Sequence, residues 1–287
     1  MDTQPPRHVL LDPGVIESWW KSASSDDREA LRMFFGEAVF FETVLNSHVA
    51  KLTSESTIVD IGSGIGLLSH LLSARGVRVI MFEPEGTGFG RMRQLFELVS
   101  AAWRGPSPSL EPHWEPFSPV ALTGRSLDMV YALNVIEHVP HPASMVAEAT
   151  ALLSPGGLGR FVCPNYLFPY EPHYGIPTLW NKRVTHLALG KVIEKKALGL
   201  WEDLSWPTAG KLSRALSDLG VEHDLSRDVF GAYLQRLRDP YFLERKGRAF
   251  RALARMEPAI RRSADLIPRR ALPIIDLTTR PTPQLRG

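Results

Sequence analysis

The chain has little of what several protein classes need. It contains one cysteine, Cys163. That excludes an internal disulfide, a cysteine-rich zinc site and an iron–sulfur cluster, and it suits a reducing compartment. The opening Met-Asp-Thr-Gln-Pro-Pro-Arg-His lacks the charged start and apolar run of a secretory leader. No run approaches the roughly 18 apolar residues of a membrane span. Charge of one sign is also missing. Thirty-three Lys+Arg face 31 Asp+Glu, for a formal net charge of +2, so no global basic excess points to nucleic acid. Neither an internal repeat nor a long low-complexity tract is present. A cytoplasmic location is expected.

What is there is globular: 287 residues with 44% hydrophobic and 22% charged, enough for one large domain or two small ones at roughly 100–200 residues each. Residues 1–50 read as an N-terminal helical cover. Residues 1–12 look flexible, and Ser24-Ser25-Asp26-Asp27 offers caps and first-turn acids for a long helix. Leu31, Phe34, Phe35, Ala38, Phe41, Leu45, Val49 and Leu52 follow at helical spacing and form one apolar face. Trp19 and Trp20 are expected on the same core.

From residue 51 to 165, strands and helices alternate. Thr57–Ile61, Val77–Phe82, Leu127–Leu133 and Gly159–Cys163 read as strands, with residues 67–74, 90–103 and 142–153 as helices. That pattern predicts a doubly wound α/β fold around a mostly parallel, seven-stranded sheet. Residues 105–126, rich in proline, serine and glycine, give no clear reading. Residues 166–207 lose the alternation and read as an inserted cap with an acceptor loop. Residues 208–287 return to the core, with a helix over 208–219, candidate strands at Val221–Leu225 and Leu272–Thr278, and a basic helical insertion.

Asp60-Ile61-Gly62-Ser63-Gly64-Ile65-Gly66 follows the first strand and opens a helix. Glycine permits a sharp turn and close backbone approach to a ligand, and the helix start presents free N–H groups. Glu83 ends the second strand, where a carboxylate can accept from both hydroxyls of a ribose. A nicotinamide loop places its third glycine where Leu67 or Ser69 stands here, and Asp60 would repel a pyrophosphate. It would suit a ligand carrying an ammonium and a sulfonium. The following Gly86-Thr87-Gly88-Phe89-Gly90 reads as a plain loop.

The loop resembles motif I of the class I S-adenosylmethionine-dependent methyltransferases. Leu127 to Val139, with Asn134-Val135-Ile136-Glu137-His138-Val139, resembles the family's fourth strand and turn, of the type found in ubiquinone-biosynthesis and related small-molecule enzymes. Leu152-Leu153-Ser154-Pro155-Gly156-Gly157 is similar to its turn before the fifth strand. The likeness is close over about residues 55–165. It implies S-adenosyl-L-methionine as cofactor, with Gly62, Ser63, Gly64 and Gly66 on its methionine and ribose side, Asp60 at the amino-acid end, Glu83 on the ribose diol, and backbone contacts near Leu133 and Asn134. An acid for the adenine has no clear counterpart; Glu115 is the nearest. A nicotinamide-dependent oxidoreductase and a catalytically silent cofactor-binding protein are the alternatives.

His138 is a candidate general base and Glu137 a candidate partner; local capping is the competing role. In some ubiquinone-pathway relatives the turn reads Glu-x-x-Glu-His and is associated with a divalent metal. Asn134 replaces the first acid here, so no metal is expected. The run Cys163 to Pro177 brings Tyr166, Tyr170, Glu171, His173 and Tyr174 together after the fifth strand. Glu171 and His173 are expected to face the acceptor, one of them taking its proton, with the three tyrosines lining its pocket. Cys163 reads as packing. The expected acceptor is a small molecule, sugar or lipid intermediate, methylated on oxygen. Residues 227–270 hold 12 Lys+Arg and 5 Asp+Glu, a net +7, so the remainder carries −5. A basic amphipathic stretch over 241–262 suits a peripheral membrane or phosphorylated-substrate contact; nucleic acid is not expected.

Overall fold

Three buried strands set the architecture. Ile58, Val59, Val79, Ile80, Met129 and Val130 are all essentially inaccessible to solvent, the near-continuous apolar pattern of strands covered on both faces. The computed structural model describes residues 4–85, 91–196, 199–238, 242–243 and 248–281. The second glycine set, Gly86–Gly90, lies outside the described residues, as do Arg245 and Lys246. The strands are β1 Thr57–Ile61, β2 Arg78–Phe82, β3 Leu110–His113, β4 Leu127–Leu133, β5 Leu153–Pro164, β6 Tyr170–Glu171, β7 Ile176–Pro177, β8 Glu222–Leu225 and β9 Ile274–Arg280. Seven form one sheet in the order β3-β2-β1-β4-β5-β9-β8, and β6 pairs with β7 in a separate hairpin. The pairs β1–β2, β1–β4 and β2–β3 are parallel, whereas β9 runs antiparallel to both β5 and β8.

The chain divides into two compact units, residues 1–133 with 152–158, and residues 134–151 with 159–287. The first unit carries helices α1 Pro13–Ser22, α2 Ser25–Val49, α3 Leu67–Ser73 and α4 Met92–Ala102. Asp12 caps α1 by accepting from the Gly14 and Val15 N–H groups, with Pro13 at the first helical position. Ser24 caps α2 through the Asp27 N–H. On α2, Leu31, Phe35, Ala38, Phe40, Phe41, Leu45 and Val49 are buried, and the helix packs on α3. The larger of these side chains contribute roughly 1.5–3 kcal/mol each by leaving water. Phe34, expected on that face, is only half-buried, and Phe40 takes a buried place instead. Residues 4–12 are not all loose: Leu11 is buried and bridges to Trp103, and the Asp12 N–H bonds the Ala102 carbonyl. Trp20 is buried while Trp19 is half-buried.

β3 falls in the stretch that gave no sequence reading. It is an edge strand, only partly buried, and carries Pro112, so it shows neither an apolar run nor a clean alternation.

The second unit carries α5 Pro142–Ala151, α6 Lys182–Lys196, α7 Ala209–Asp218, α8 Asp228–Arg236 and α9 Arg248–Ser263. α5 packs on α7, and α8 packs on β9. Arg160 is buried against Asp276, 2.9 Å away, and Asp276 also accepts from the Val229 N–H. The stretch read as a cap holds the β6–β7 hairpin and α6. α9 turns its apolar side inward: Phe250, Ala254 and Ile260 pack against the cluster of Phe230, Leu234, Leu237, Phe242 and Leu272. No helix among the described residues is long and apolar enough to cross a membrane.

Candidate active site

In the first unit, strand order reverses between β1 and β4, where open α/β sheets bind ligands beyond the strand carboxyl ends. The glycine loop leaves β1 at this point. The Gly62 and Ser63 N–H groups bond the Phe82 carbonyl at 2.7 and 3.2 Å, tying the loop to β2. Gly64 has φ +56° and donates its N–H to Glu83 Oε2 at 2.8 Å. Gly66, at φ +68°, has no room for a side chain: a Cβ there would meet the Phe96 ring and, at 2.9 Å, Met81 Cε. Its carbonyl accepts from His70, whose Nδ1 lies 2.8 Å away. His70 is buried, and burial lowers its pKa. It stacks obliquely on Phe96 and Trp103.

Asp60 and Glu83 are 3% and 6% exposed. Ser69 donates to Asp60 Oδ2 at 2.5 Å, and Tyr131, its register partner on β4, lies beside it. Burial pushes Asp60 up to about 6, with the Ser69 and Tyr131 hydroxyls opposing. Burial likewise pushes Glu83 up to about 7, partly offset by the Gly64 N–H and reinforced by the charge of Asp60. Neither carboxyl has an ion-pair partner among the described residues. Ser63 Oγ is buried with no hydrogen-bond partner among them. Two buried acids without a counter-ion, an orphaned hydroxyl and a glycine turn fit a cationic ligand rich in donors, such as S-adenosylmethionine with its ammonium, sulfonium and ribose diol. Glu115 lies outward, 58% exposed at its side chain and 3.6 Å from His113, whose ring stacks on Phe82. Ser69, His70 and Tyr131 were not singled out by sequence reasoning. A polar residue inside an otherwise apolar helix or strand was the available signal. Leu133 closes β4, half-buried.

In the second unit Asn134 takes a left-handed turn, φ +58°, and its N–H bonds the Val162 carbonyl at 2.7 Å. Asn tolerates this conformation better than most residues. A 3₁₀ turn, Ile136–His138, follows. Glu137 is fully buried, and its carbonyl accepts from the N–H and hydroxyl of Ser205. The cap brings Glu171 into the same unit, also fully buried. Three donors reach its carboxylate: His173 Nδ1 at 2.6 Å, Tyr166 Oη at 3.2 Å and the Tyr174 N–H at 2.5 Å. Burial pushes Glu171 up, but His173 and the N–H groups of Tyr174 and His173 outweigh it and hold Glu171 below the ordinary carboxylate range. The His138 ring stands edge-on to His173, 4.9 Å between centroids. Burial, then the charge of His173, lowers His138 to about 4 against the pull of Glu171, so it is neutral at pH 7.

The three tyrosines part company. Tyr166 stacks on Trp206 and bonds Glu171. Tyr170 is half-buried against Phe250. Tyr174 is buried, its ring in a cluster with Ile176, Ile193, Trp201 and Leu204; it serves Glu171 through its backbone, and its ring is core. Cys163 is free and buried, and burial raises its thiol. One group among the described residues could hold a metal ion: Glu137, His138 and His173 offer ligand atoms all within 4.8 Å of one another. His173 here supplies a third ligand atom that the segment around Asn134 lacks.

A parallel sheet with a glycine loop and an acid after β2 defines a Rossmann-like cofactor-binding protein. Residues 38–220 match the family model described as a methyltransferase domain. The chain belongs to the class I S-adenosylmethionine-dependent methyltransferases and is an enzyme of that class. It is 33% identical over 253 residues to an uncharacterized protein of Mycobacterium tuberculosis, covering 84% of each chain. It is 35% identical over 102 residues to the ubiquinone biosynthesis O-methyltransferase of a Methylobacterium species, covering 36% of this chain and 38% of that one. Its fold is shared with a chain of the complex between the Haloferax volcanii Trm112 methyltransferase activator and a methyltransferase, at a TM-score of 0.51 and 17% identity over 89% of this chain and 96% of that one. The nicotinamide alternative left open by the glycine loop is set aside by this membership.

Proposed function

We propose that this enzyme binds S-adenosylmethionine and methylates an oxygen of a small molecule, sugar or lipid intermediate, with His173 as the base that takes the acceptor's proton. The observation that carries the reading is the Glu171–His173 pair. A carboxylate held ionised can only accept, so Nδ1 of His173 carries the proton of their hydrogen bond, which makes Nε2 the accepting atom whenever the ring is neutral. Glu171 then orients the ring and stabilises the imidazolium once Nε2 has taken the hydroxyl proton. Tyr166 and the Tyr174 N–H keep Glu171 in place. His138, kept neutral by burial, adds no competing charge. S-adenosylmethionine, when bound, supplies an electrophilic methyl group on a sulfonium. Gly62, Ser63, Gly64, Gly66 and Asp60 would hold its methionine part, Glu83 its ribose, and the backbone at Leu133 and Asn134 further contacts. Tyr170 would face the acceptor. The single buried cysteine suits the cytoplasm as the place of reaction.

The test is His173→Ala assayed by transfer of a labelled methyl group to hydroxyl-bearing acceptors. General-base loss should lower turnover by about 10²–10⁴ while S-adenosylhomocysteine affinity is kept; unchanged turnover refutes the assignment. A second reading rests on Glu137, His138 and His173 as ligands to a divalent cation, with His173 bound to metal rather than acting as base. It requires that exhaustive chelation abolish turnover and that added cation restore it.

A further inference from the structure

The cap carries an exposed surface that neither cofactor binding nor proton transfer explains. Leu167, Phe168, Leu179, Trp180, Val184 and Leu187 are all exposed, Trp180 by 64% and Leu187 by 87%. Isolated exposed apolar residues are ordinary, but a contiguous group marks an interaction site. This group lies close along the chain, over residues 167–187, and its first part is tied together by hydrogen bonds. The Trp180 indole N–H bonds the Leu167 carbonyl at 3.0 Å, and the Thr178 N–H bonds the Pro169 carbonyl at 3.2 Å. α6 starts two residues after Trp180. Trp180 is held outward in a left-handed conformation, φ +54°, which costs a bulky residue of order 1–3 kcal/mol. A fold that needed only solubility would gain by burying that ring or replacing it.

Charge decides the occupant. On α6 the inward face is Thr185 and Ile193, and one outward row runs Val184, Leu187, Lys191, Lys195. Arg183 is exposed beside it, and Glu194 is the acid among these outward residues. Lys182 and Lys196 are tied to backbone carbonyls of Leu204 and Tyr174, which leaves Arg183, Lys191 and Lys195 as the outward cations. An apolar tip with a tryptophan and a phenylalanine, bordered by cations, is the pattern of a surface that sits in the headgroup layer of an anionic bilayer. α9 offers less: Phe250 and Ile260 pack internally, and the exposed Arg251, Arg255 and Arg262 are accompanied on that helix by the exposed Leu253 and Met256 but by no exposed aromatic ring among the described residues.

We infer that residues 167–195 dock this enzyme peripherally on an anionic phospholipid surface. The inference goes beyond methyl transfer and does not depend on it. The test is co-sedimentation of the full chain with phosphatidylcholine vesicles made with and without phosphatidylglycerol. The chain should bind only the anionic vesicles, and binding should weaken as salt is raised. Lys191→Ala with Lys195→Ala should weaken it about 25-fold, from about fivefold per cation near such a surface. Trp180→Gly, which relieves the backbone while removing the ring, and Leu187→Ser should each weaken it at least tenfold with S-adenosylhomocysteine affinity unchanged. No binding to anionic vesicles overturns the inference. So does binding that these variants leave intact, which would place the contact elsewhere, on the α9 arginines for instance. A dimer in solution that Leu187→Asp converts to monomer, without any vesicle binding, assigns the surface to a second copy of the chain and also overturns it.

Discussion

Replacing Glu83 by glutamine should make the cofactor-free protein more stable and less able to bind its cofactor. Folding moves this carboxyl from an ordinary 4.5 to about 7 because it is buried beside Asp60 with one backbone N–H as its donor. A carboxyl whose value is raised on folding holds its proton more tightly in the native state. It therefore costs nothing below its unfolded value, costs progressively more as pH rises towards about 7, and costs a constant amount above that. At about 1.4 kcal/mol for each pH unit, the rise from 4.5 to about 7 sets a full cost of about 3 kcal/mol. Glutamine is nearly isosteric and its carbonyl can still accept from Gly64. Denaturant unfolding of both proteins across pH 4.5 to 8.5 should show the variant more stable by that amount at the alkaline end, with the gap closing at the acid end. The variant should also lose affinity for S-adenosylhomocysteine, since hydrogen bonds from a diol to a charged group contribute about 1.5–3 kcal/mol each. A gap that is absent at pH 8.5, or that does not close towards pH 4.5, refutes the electrostatic account. Equal affinity in both proteins removes Glu83 from the ribose.

Other consequences are as direct. Affinity for S-adenosylhomocysteine should fall on acidification, because Glu83 and Asp60, at about 7 and about 6, must release protons to meet an ammonium and a diol; titration calorimetry should show the loss beginning below about pH 7, at most tenfold per pH unit for each carboxyl. Gly64→Val places a β-branched residue at φ +56°, costing at least about 1–2 kcal/mol of strain, and should abolish cofactor binding while circular dichroism remains native. If His173 is a base and not a ligand, turnover measured after exhaustive chelation should be undiminished; a loss reversed by one divalent cation would establish Glu137, His138 and His173 as ligands instead.

How much of this was legible in the sequence depends on how local each feature is. The loop Gly62–Gly66 was legible because a sharp turn demands glycine within a few residues. The buried strands were legible from their apolar runs, and Glu83 from its place at the end of one. β3 was not, since an edge strand containing Pro112 needs no apolar run. Ser69, His70 and Tyr131 were not, because their roles exist only once α3 lies over β1 and the register pairs Asp60 with Tyr131. The cluster around Glu171 was visible as composition, but composition could not say that the Tyr174 ring turns into the core while its N–H serves Glu171. Nor could it separate the roles of Glu171 and His173.

A comparison of Glu83 with Glu171 bears on those roles. Glu83 has one backbone donor and is pushed up to about 7; Glu171 is as deeply buried, has three donors and is held below its ordinary range. An acid whose deficit is a positive, donor-rich partner is matched to a ligand that brings one. An acid already saturated with donors is a poor proton acceptor and a good anchor. That contrast favours the proposed division, with Glu171 as the positioning residue and His173 as the base. Glu171→Gln should keep S-adenosylhomocysteine affinity and lower kcat, but by less than His173→Ala, because the amide carbonyl of the substituted side chain can still accept from Nδ1. It should also move the acid limb of the pH–rate profile to lower pH, since the lost negative charge no longer favours the imidazolium. If Glu171 were itself the base, Glu171→Gln would match or exceed the His173→Ala loss and the acid limb would vanish rather than move.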